Sequence, residues 1–137
     1  MAKESEQAIA AVVAALHFDK DGLISAIAQQ FDTGEVLMLA WMSREAVEAT
    51  LRTGEVCYWS RSRAALWRKG ERSGQTQRLV ELRFDCDQDC LLLQVDQTGV
   101  ACHTGRRSCF FTALRGGELK EIAPVEVDPG TLYRDGA

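Results

Sequence analysis

Prolines are scarce in this sequence of 137 residues, as are histidines, with two of each, and Lys and Arg (16) are outnumbered by Asp and Glu (20). A net charge of −4 argues against general nucleic-acid binding, which draws on a basic domain to neutralise phosphates. Long hydrophobic runs are also missing. Ala8 to Leu16, the longest near the start, falls well short of the roughly 20 apolar residues that cross a bilayer. It follows Lys3, Glu4 and Glu6 rather than the basic segment of a secretory signal, and no cleavage site succeeds it. No Cys-x-x-Cys occurs. The five cysteines are Cys57, Cys86, Cys90, Cys102 and Cys109, an odd count that points to a reducing, cytoplasmic setting in which thiols serve as ligands or nucleophiles.

What remains is an ordinary globular composition, 46% hydrophobic and 26% charged, in a chain long enough for one domain with a sizeable core. We take 1–137 as a single domain, with its core over 18–114 and a tail from 115 to 137. Apolar spacing at Ile9, Val12, Val13 and Leu16 predicts a helix over 4–16. Ile24–Phe31 and Val36–Met42 predict strands around an Asp32-Thr33-Gly34-Glu35 turn. Ser43 as N-cap and Gly54 as terminator bracket a helix over Arg44–Arg52. Further strands are expected over Glu55–Ser60, Arg78–Cys86, Leu91–Val95 and Cys109–Leu114. Turns fall at Gln97-Thr98-Gly99 and Gly116-Gly117. Residues 61–77 show no period and are expected to form a long, functional loop. The tail beyond, bracketed by Pro124 and Pro129, is expected to hold little regular structure. The fold class is α+β, with strands dominant.

Two clusters carry chemistry. Asp85-Cys86-Asp87-Gln88-Asp89 sets carboxylates at alternate positions, and thirteen residues after Asp89 begins Cys102-His103-Thr104-Gly105-Arg106-Arg107-Ser108-Cys109. Carboxylates suit a hard cation such as Mg²⁺, and thiolates a softer one such as Zn²⁺. If strand alternation persists through Asp85, the three aspartates share one face and Cys86 points the other way. A solvated acidic turn is the plain alternative. An EF-hand is excluded, because Cys90 stands where its glycine is required and Asp96 where its glutamate is expected. Cys86, Cys102 and Cys109 would make a three-ligand catalytic zinc; adding Cys90 would make a closed structural one. His103, beside a thiol ligand, could move protons near neutral pH.

Charge is unevenly placed. Six basic residues between Arg61 and Arg78 (Arg61, Arg63, Arg68, Lys69, Arg72, Arg78) face one acid, Glu71, whereas Glu118, Glu121, Glu126, Asp128 and Asp135 make the tail acidic. A local basic patch on an acidic protein suits a small anionic ligand. Arg106 and Arg107 after Gly105 suit phosphate, and Trp59 or Trp67 beside basic groups could hold a purine.

These residues resemble the phosphoribosyl-AMP cyclohydrolases of histidine biosynthesis. The resemblance spans roughly Phe18 to Leu114. It rests on the two clusters, on Trp59-Ser60-Arg61-Ser62-Arg63, and on Leu66-Trp67 with Lys69-Gly70-Glu71, four segments in the right order. It implies a bent, mixed, barrel-like sheet with an N-terminal and one further helix, in an intertwined homodimer. It implies Mg²⁺ at Asp85, Asp87 and Asp89, and zinc shared across the dimer, Cys86 from one subunit and Cys102 and Cys109 from the other. The implied reaction opens the adenine ring of 1-(5-phosphoribosyl)-AMP at N1–C6, by attack at C6 of a hydroxide that zinc supplies. His103 would handle protons, Glu71 would donate a proton or meet a ring nitrogen, and Arg61, Arg63, Lys69, Arg106, Arg107 and Trp67 would bind substrate. Cys90 departs from the family, which usually has a small residue there. Some relatives fuse a pyrophosphohydrolase domain; with the sequence ending at Ala137, only the cyclohydrolase activity is expected here. A zinc nucleobase deaminase is the nearest rival, but its His-x-Glu and Pro-Cys-x-x-Cys signatures are absent. A zinc module binding RNA through the 61–78 segment is the non-enzymatic rival. No membrane or nucleic-acid partner is expected.

Overall fold

A computed structural model describes residues 3–132; Asp135 of the acidic tail lies outside them. Helix α1 (Glu6–Ala15) starts where the Ser5 hydroxyl accepts the Ala8 amide at 3.1 Å, and it buries Ile9 and Val13. Strands β1 (Leu23–Gln30) and β2 (Val36–Ser43) form an antiparallel hairpin. Helix α2 (Arg44–Thr53) is capped as its sequence dictates. The Ser43 hydroxyl accepts the Ala46 amide at 3.2 Å, and Gly54 closes the helix at φ 81°, a conformation that costs glycine little. Ala46, Val47, Thr50 and Leu51 form its buried face.

Then come β3 (Cys57–Ser60), β4 (Ala65–Arg68), β5 (Gln77–Phe84) and β6 (Cys90–Gln97). The six strands lie in the order β4-β3-β2-β1-β6-β5, antiparallel except for the β1–β6 pair. A parallel pair needs a long connection, and here it is everything from β2 to β5. The sheet curls. At its far edge Val56 N–H donates to Gln77 O and Leu79 N–H to Gly54 O, so β5 returns to the entry of β3 and the sheet becomes a half-barrel. Leu37, Met42, Tyr58, Leu91, Leu93 and Val95 fill it, each fully buried. The barrel-like mixed core expected from the resemblance is therefore present.

Four local expectations are corrected. The segment 61–77 is not all loop, because β4 pairs with β3 from Cys57↔Arg68 to Ser60↔Ala65. Its charges hid the strand, since at this edge they need no burial. The strand expected over Cys109–Leu114 begins at Thr112 instead; β7 (Thr112–Arg115) pairs with β8 (Glu118–Glu121) across Gly116-Gly117. Residues 109–111 are instead held by Cys109 N–H donating to Leu37 O at 2.7 Å. The tail is not irregular throughout, as it supplies β8 and a short third helix, α3 (Pro129–Leu132). Finally, β5 ends at Phe84, so Asp85–Asp89 is a turn and strand alternation does not place its side chains. A register shift between Leu79 and Glu81 interrupts the alternation of β5, with Leu79 in the core and the adjacent Val80 half-buried. No described helix is long and apolar enough to cross a membrane.

Candidate active site

The Asp85–Asp89 turn is built by the backbone. Asp85 N–H donates to Cys90 O, Gln88 N–H to Asp85 O, and the Asp85 carboxylate accepts the Asp89 amide at 3.1 Å. Gln88 takes φ 63°, which reverses the chain. The end of α1 and the residues just beyond it brace the turn: the Gln88 amide donates to Ala15 O at 2.7 Å, and His17 Nδ1 to Asp87 O at 3.0 Å. Sequence reasoning gave neither residue a role here, because the contact spans some 70 positions. One carboxylate oxygen from each of Asp85, Asp87 and Asp89 lies within 4.8 Å of the others, and all three residues are exposed. Octahedral Mg–O bonds of about 2.1 Å set oxygens roughly 3–4 Å apart, so the donor set fits a hard divalent cation. Slight desolvation and then the Asp85 and Asp87 charges raise the Asp89 pKa, the repulsion that such a cation would relieve.

The second cluster is a tight loop between β6 and β7. Ala101 N–H donates to Arg107 O, Cys102 N–H to Arg106 O, and Gly105 N–H to Cys102 O. Gly105 sits at φ 85°, and a Cβ there would lie 1.8 Å from Val127 O. Its carbonyl accepts the amides of Glu126 and Val127, so the tail is strapped over this loop. Cys102 is buried, Cys109 is exposed, and the two thiols are near enough to shift each other's ionisation. Burial opposes ionisation of Cys102, but the Thr104 hydroxyl (3.1 Å from its sulfur), the Thr104 amide, Cys109 and Arg106 outweigh it and lower its pKa. Cys109 is pushed up to about 12 by desolvation and by Cys102, with Lys69 opposing. Two adjacent thiols fit half of a tetrahedral zinc. Cys86, exposed on the carboxylate turn, does not join them; within one chain the described residues converge as a three-donor group only at the aspartates.

The arginines of the loop are engaged inside the protein. Arg107 donates to Gly99 O and the Gln30 side chain at 2.8 Å, to Gln97 O at 3.1 Å and to Glu35 at 3.2 Å. Arg106 donates to Ala123 O, pairs with Glu121 and lies 4.0 Å over the Phe111 ring. His103 is exposed and forms no hydrogen bond among the described residues.

A cleft of about 320 Å³ opens beside β4, lined by Ser60, Arg63, Trp67, Lys69, Glu71 and Arg72 among others. Trp67 is half-buried against the core, its ring 5.2 Å from that of Tyr58, so it is both core and cleft wall. Glu71 accepts the Arg68 amide at 2.8 Å. Arg61 lies 4.8 Å over Trp41. Lys69 reaches from the cleft to Ala101 O at 2.8 Å and so joins the cleft to the thiol loop. The three aspartates are not among the lining residues.

Fold and site define a small α+β enzyme with a basic cleft beside paired thiols and a separate turn of converging carboxylates. Comparison with known proteins narrows the class. A family profile for phosphoribosyl-AMP cyclohydrolase matches residues 38–111. The chain is 70% identical over 123 residues to a phosphoribosyl-AMP cyclohydrolase of Alkalilimnicola ehrlichii, covering 90% of this chain and 87% of that one. It is 66% identical over 126 residues to that of Rhodospirillum centenum, covering 92% and 95%. The chain belongs to the phosphoribosyl-AMP cyclohydrolase family, hydrolases that act on a cyclic amidine.

Proposed function

We propose that this chain opens the adenine ring of 1-(5-phosphoribosyl)-AMP by hydrolysis of the N1–C6 bond, the third step of histidine biosynthesis. The observation that carries the reading is the Cys102–Cys109 pair with His103 between them in sequence, linked through Lys69 to a basic cleft. Alkylation at N1 makes C6 electrophilic, so water adds there and the N1–C6 bond breaks. Zinc, when bound by Cys102, Cys109 and Cys86 of a second copy, supplies the Lewis acidity that makes water a nucleophile near neutral pH. Mg²⁺ on Asp85, Asp87 and Asp89 supplies charge for the substrate's phosphates.

The chain's own residues do the rest. His103, exposed and without a hydrogen-bond partner among the described residues, is free to take a proton from the attacking water and return it to the leaving nitrogen. Arg61 and Arg63 meet phosphate, Trp67 offers apolar surface to the purine, and Glu71 serves a ring nitrogen. Arg106 and Arg107 act by holding the thiol loop in place beside that substrate. That Cys86 stands apart from the other thiols supports a homodimer as the working unit. All five cysteines are unbridged, which suits the cytoplasm.

The test is ring opening followed by absorbance, on protein of known zinc content. Turnover of phosphoribosyl-AMP that depends on zinc and Mg²⁺ is expected. Ammonia release from AMP or adenosine would make the chain a deaminase instead, and tightly held zinc without turnover would make the thiols a structural site.

A further inference from the structure

Lys69 is the only lysine among the buried polar and charged side chains of the described residues, with 8% of its surface exposed. Its position is set by backbone. Its amide donates to Val56 O at 2.9 Å as β4 ends. Next to it Gly70 turns at φ 82°, so close to Gln75 and Thr76 that a Cβ would lie 2.6 Å from their backbone atoms. The chain therefore cannot back away, and the Lys69 side chain runs inward past Trp67 (5.9 Å from its ring) to donate to Ala101 O at 2.8 Å. Ala101 immediately precedes Cys102.

Burying an ammonium is costly unless a counter-charge compensates it. No carboxylate among the described residues forms an ion pair with Lys69. Burial lowers its pKa, and the charges that oppose this are those of Cys109 and then Cys102. Through Ala101 O the Lys69 ammonium stands beside the thiol loop, whose two cysteines, once ionised on a metal, are the groups that can supply its counter-charge. The need for the cation follows from charge counting. Three thiolates on a divalent zinc leave a net charge of −1, in a place where Cys102 is itself buried.

We propose that Lys69 is a positioning residue of the thiol site, fastening the Ala101–Cys102 turn to the cleft and neutralising the excess negative charge of a three-thiolate zinc. The inference rests on the zinc reading above. It assigns Lys69 away from the substrate's phosphates, which its ammonium, bound to Ala101 O, does not face as a free donor.

Three variants of the full chain separate these roles. K69Q retains a donor for Ala101 O and removes the charge; K69M removes both; K69R retains the charge. Zinc retention is measured by competition with a chromophoric chelator, alongside kcat and KM. Outer-shell partners of metal ligands are worth about tenfold to a hundredfold in metal affinity, so K69Q and K69M should surrender zinc at about tenfold less chelator than wild type or K69R. Their KM, measured with zinc in excess, should stay near that of wild type. If K69M does not fold, K69Q carries the same expectation. Wild-type zinc retention in K69Q with a raised KM would overturn the proposal and make Lys69 an anion contact. Equal zinc loss in K69Q and K69R would overturn it too, since charge would not be the cause. Wild type that holds no zinc would overturn the zinc reading itself, an outcome distinct from either.

Discussion

The Arg107 guanidinium donates to the side-chain oxygen of Gln30, 77 positions away, at 2.8 Å. That same oxygen accepts the Gln97 amide at 2.9 Å, so one glutamine ties the end of β1 to the end of β6 and both to the thiol loop. The fork of Arg107 is what spans this gap, because it reaches Gln97 O and Gly99 O as well. Arg107→Lys keeps the charge and loses the fork. It should lower stability by about 2 kcal/mol, the scale of hydrogen bonds to a charged group, read as a lower urea midpoint. An unchanged midpoint with only a raised KM would return Arg107 to the phosphate site.

The proposed sharing of a zinc site between copies makes a complementation prediction. C86A and C102A should each lose zinc and turnover. In a mixed dimer, one site contains both lesions and the other contains neither. Unfolding and refolding the two inactive variants together should therefore restore about one quarter of wild-type activity, since half the dimers are mixed and each has one intact site. No recovery, with dimers shown to have mixed, would place all three thiols of each site in one chain.

His103→Ala should lower kcat by about a hundredfold or more and change KM much less, as expected for proton transfer. Its exposure and its lack of hydrogen-bond partners among the described residues mean that folding stability should hardly move. A normal kcat would leave the imidazole without a chemical role.

Gly105→Ala places a Cβ against Val127 O in a backbone conformation that side chains rarely adopt. Strain of about 1–2 kcal/mol from the backbone alone, plus the clash, should release the strap that Glu126 and Val127 form over the loop. Limited proteolysis should then cut within 122–128 faster than in wild type. An unaltered cleavage pattern would show that the loop yields instead of the tail.

Acid stability depends in part on Asp96, whose pKa is lowered by the Gln30 amide, against slight desolvation, and by Arg78. A pKa depressed in the folded state adds stability above the unfolded value of about 3.9, lost as pH falls through the folded one. The Tm difference between wild type and D96N should therefore shrink from pH 6 to pH 3. A difference constant with pH would rule out the charge as its source.

How much was legible follows from the range of each interaction. Helix α2 was readable to within a residue because Ser43 and Gly54 act on their immediate neighbours. The β1–β2 and β7–β8 turns were marked by Gly34 and by Gly116-Gly117, which adopt positive φ as those reversals require. Strand β4 was not, because Arg63, Arg68 and Lys69 gave a loop-like composition, and pairing with β3 is a property of two segments. Nor was the buried chain from the Tyr58 hydroxyl to Gln77 (2.6 Å) and on to Gln97 (2.8 Å). Its only local signal was glutamine at inward strand positions.

By itself the sequence determined the family, the donor chemistry and the spacing that keeps carboxylates and thiols in separate clusters, since these depend on residue type and order. Tertiary structure decided what those groups meet. It converged three aspartates through a turn braced from α1, brought Cys102 and Cys109 together while leaving Cys86 apart, and drew Arg107 inward. It also carried Lys69 from a cleft to the thiol loop. Each of these is a contact between segments distant in sequence, selected by how the curled sheet closes, and no local propensity encodes that closure.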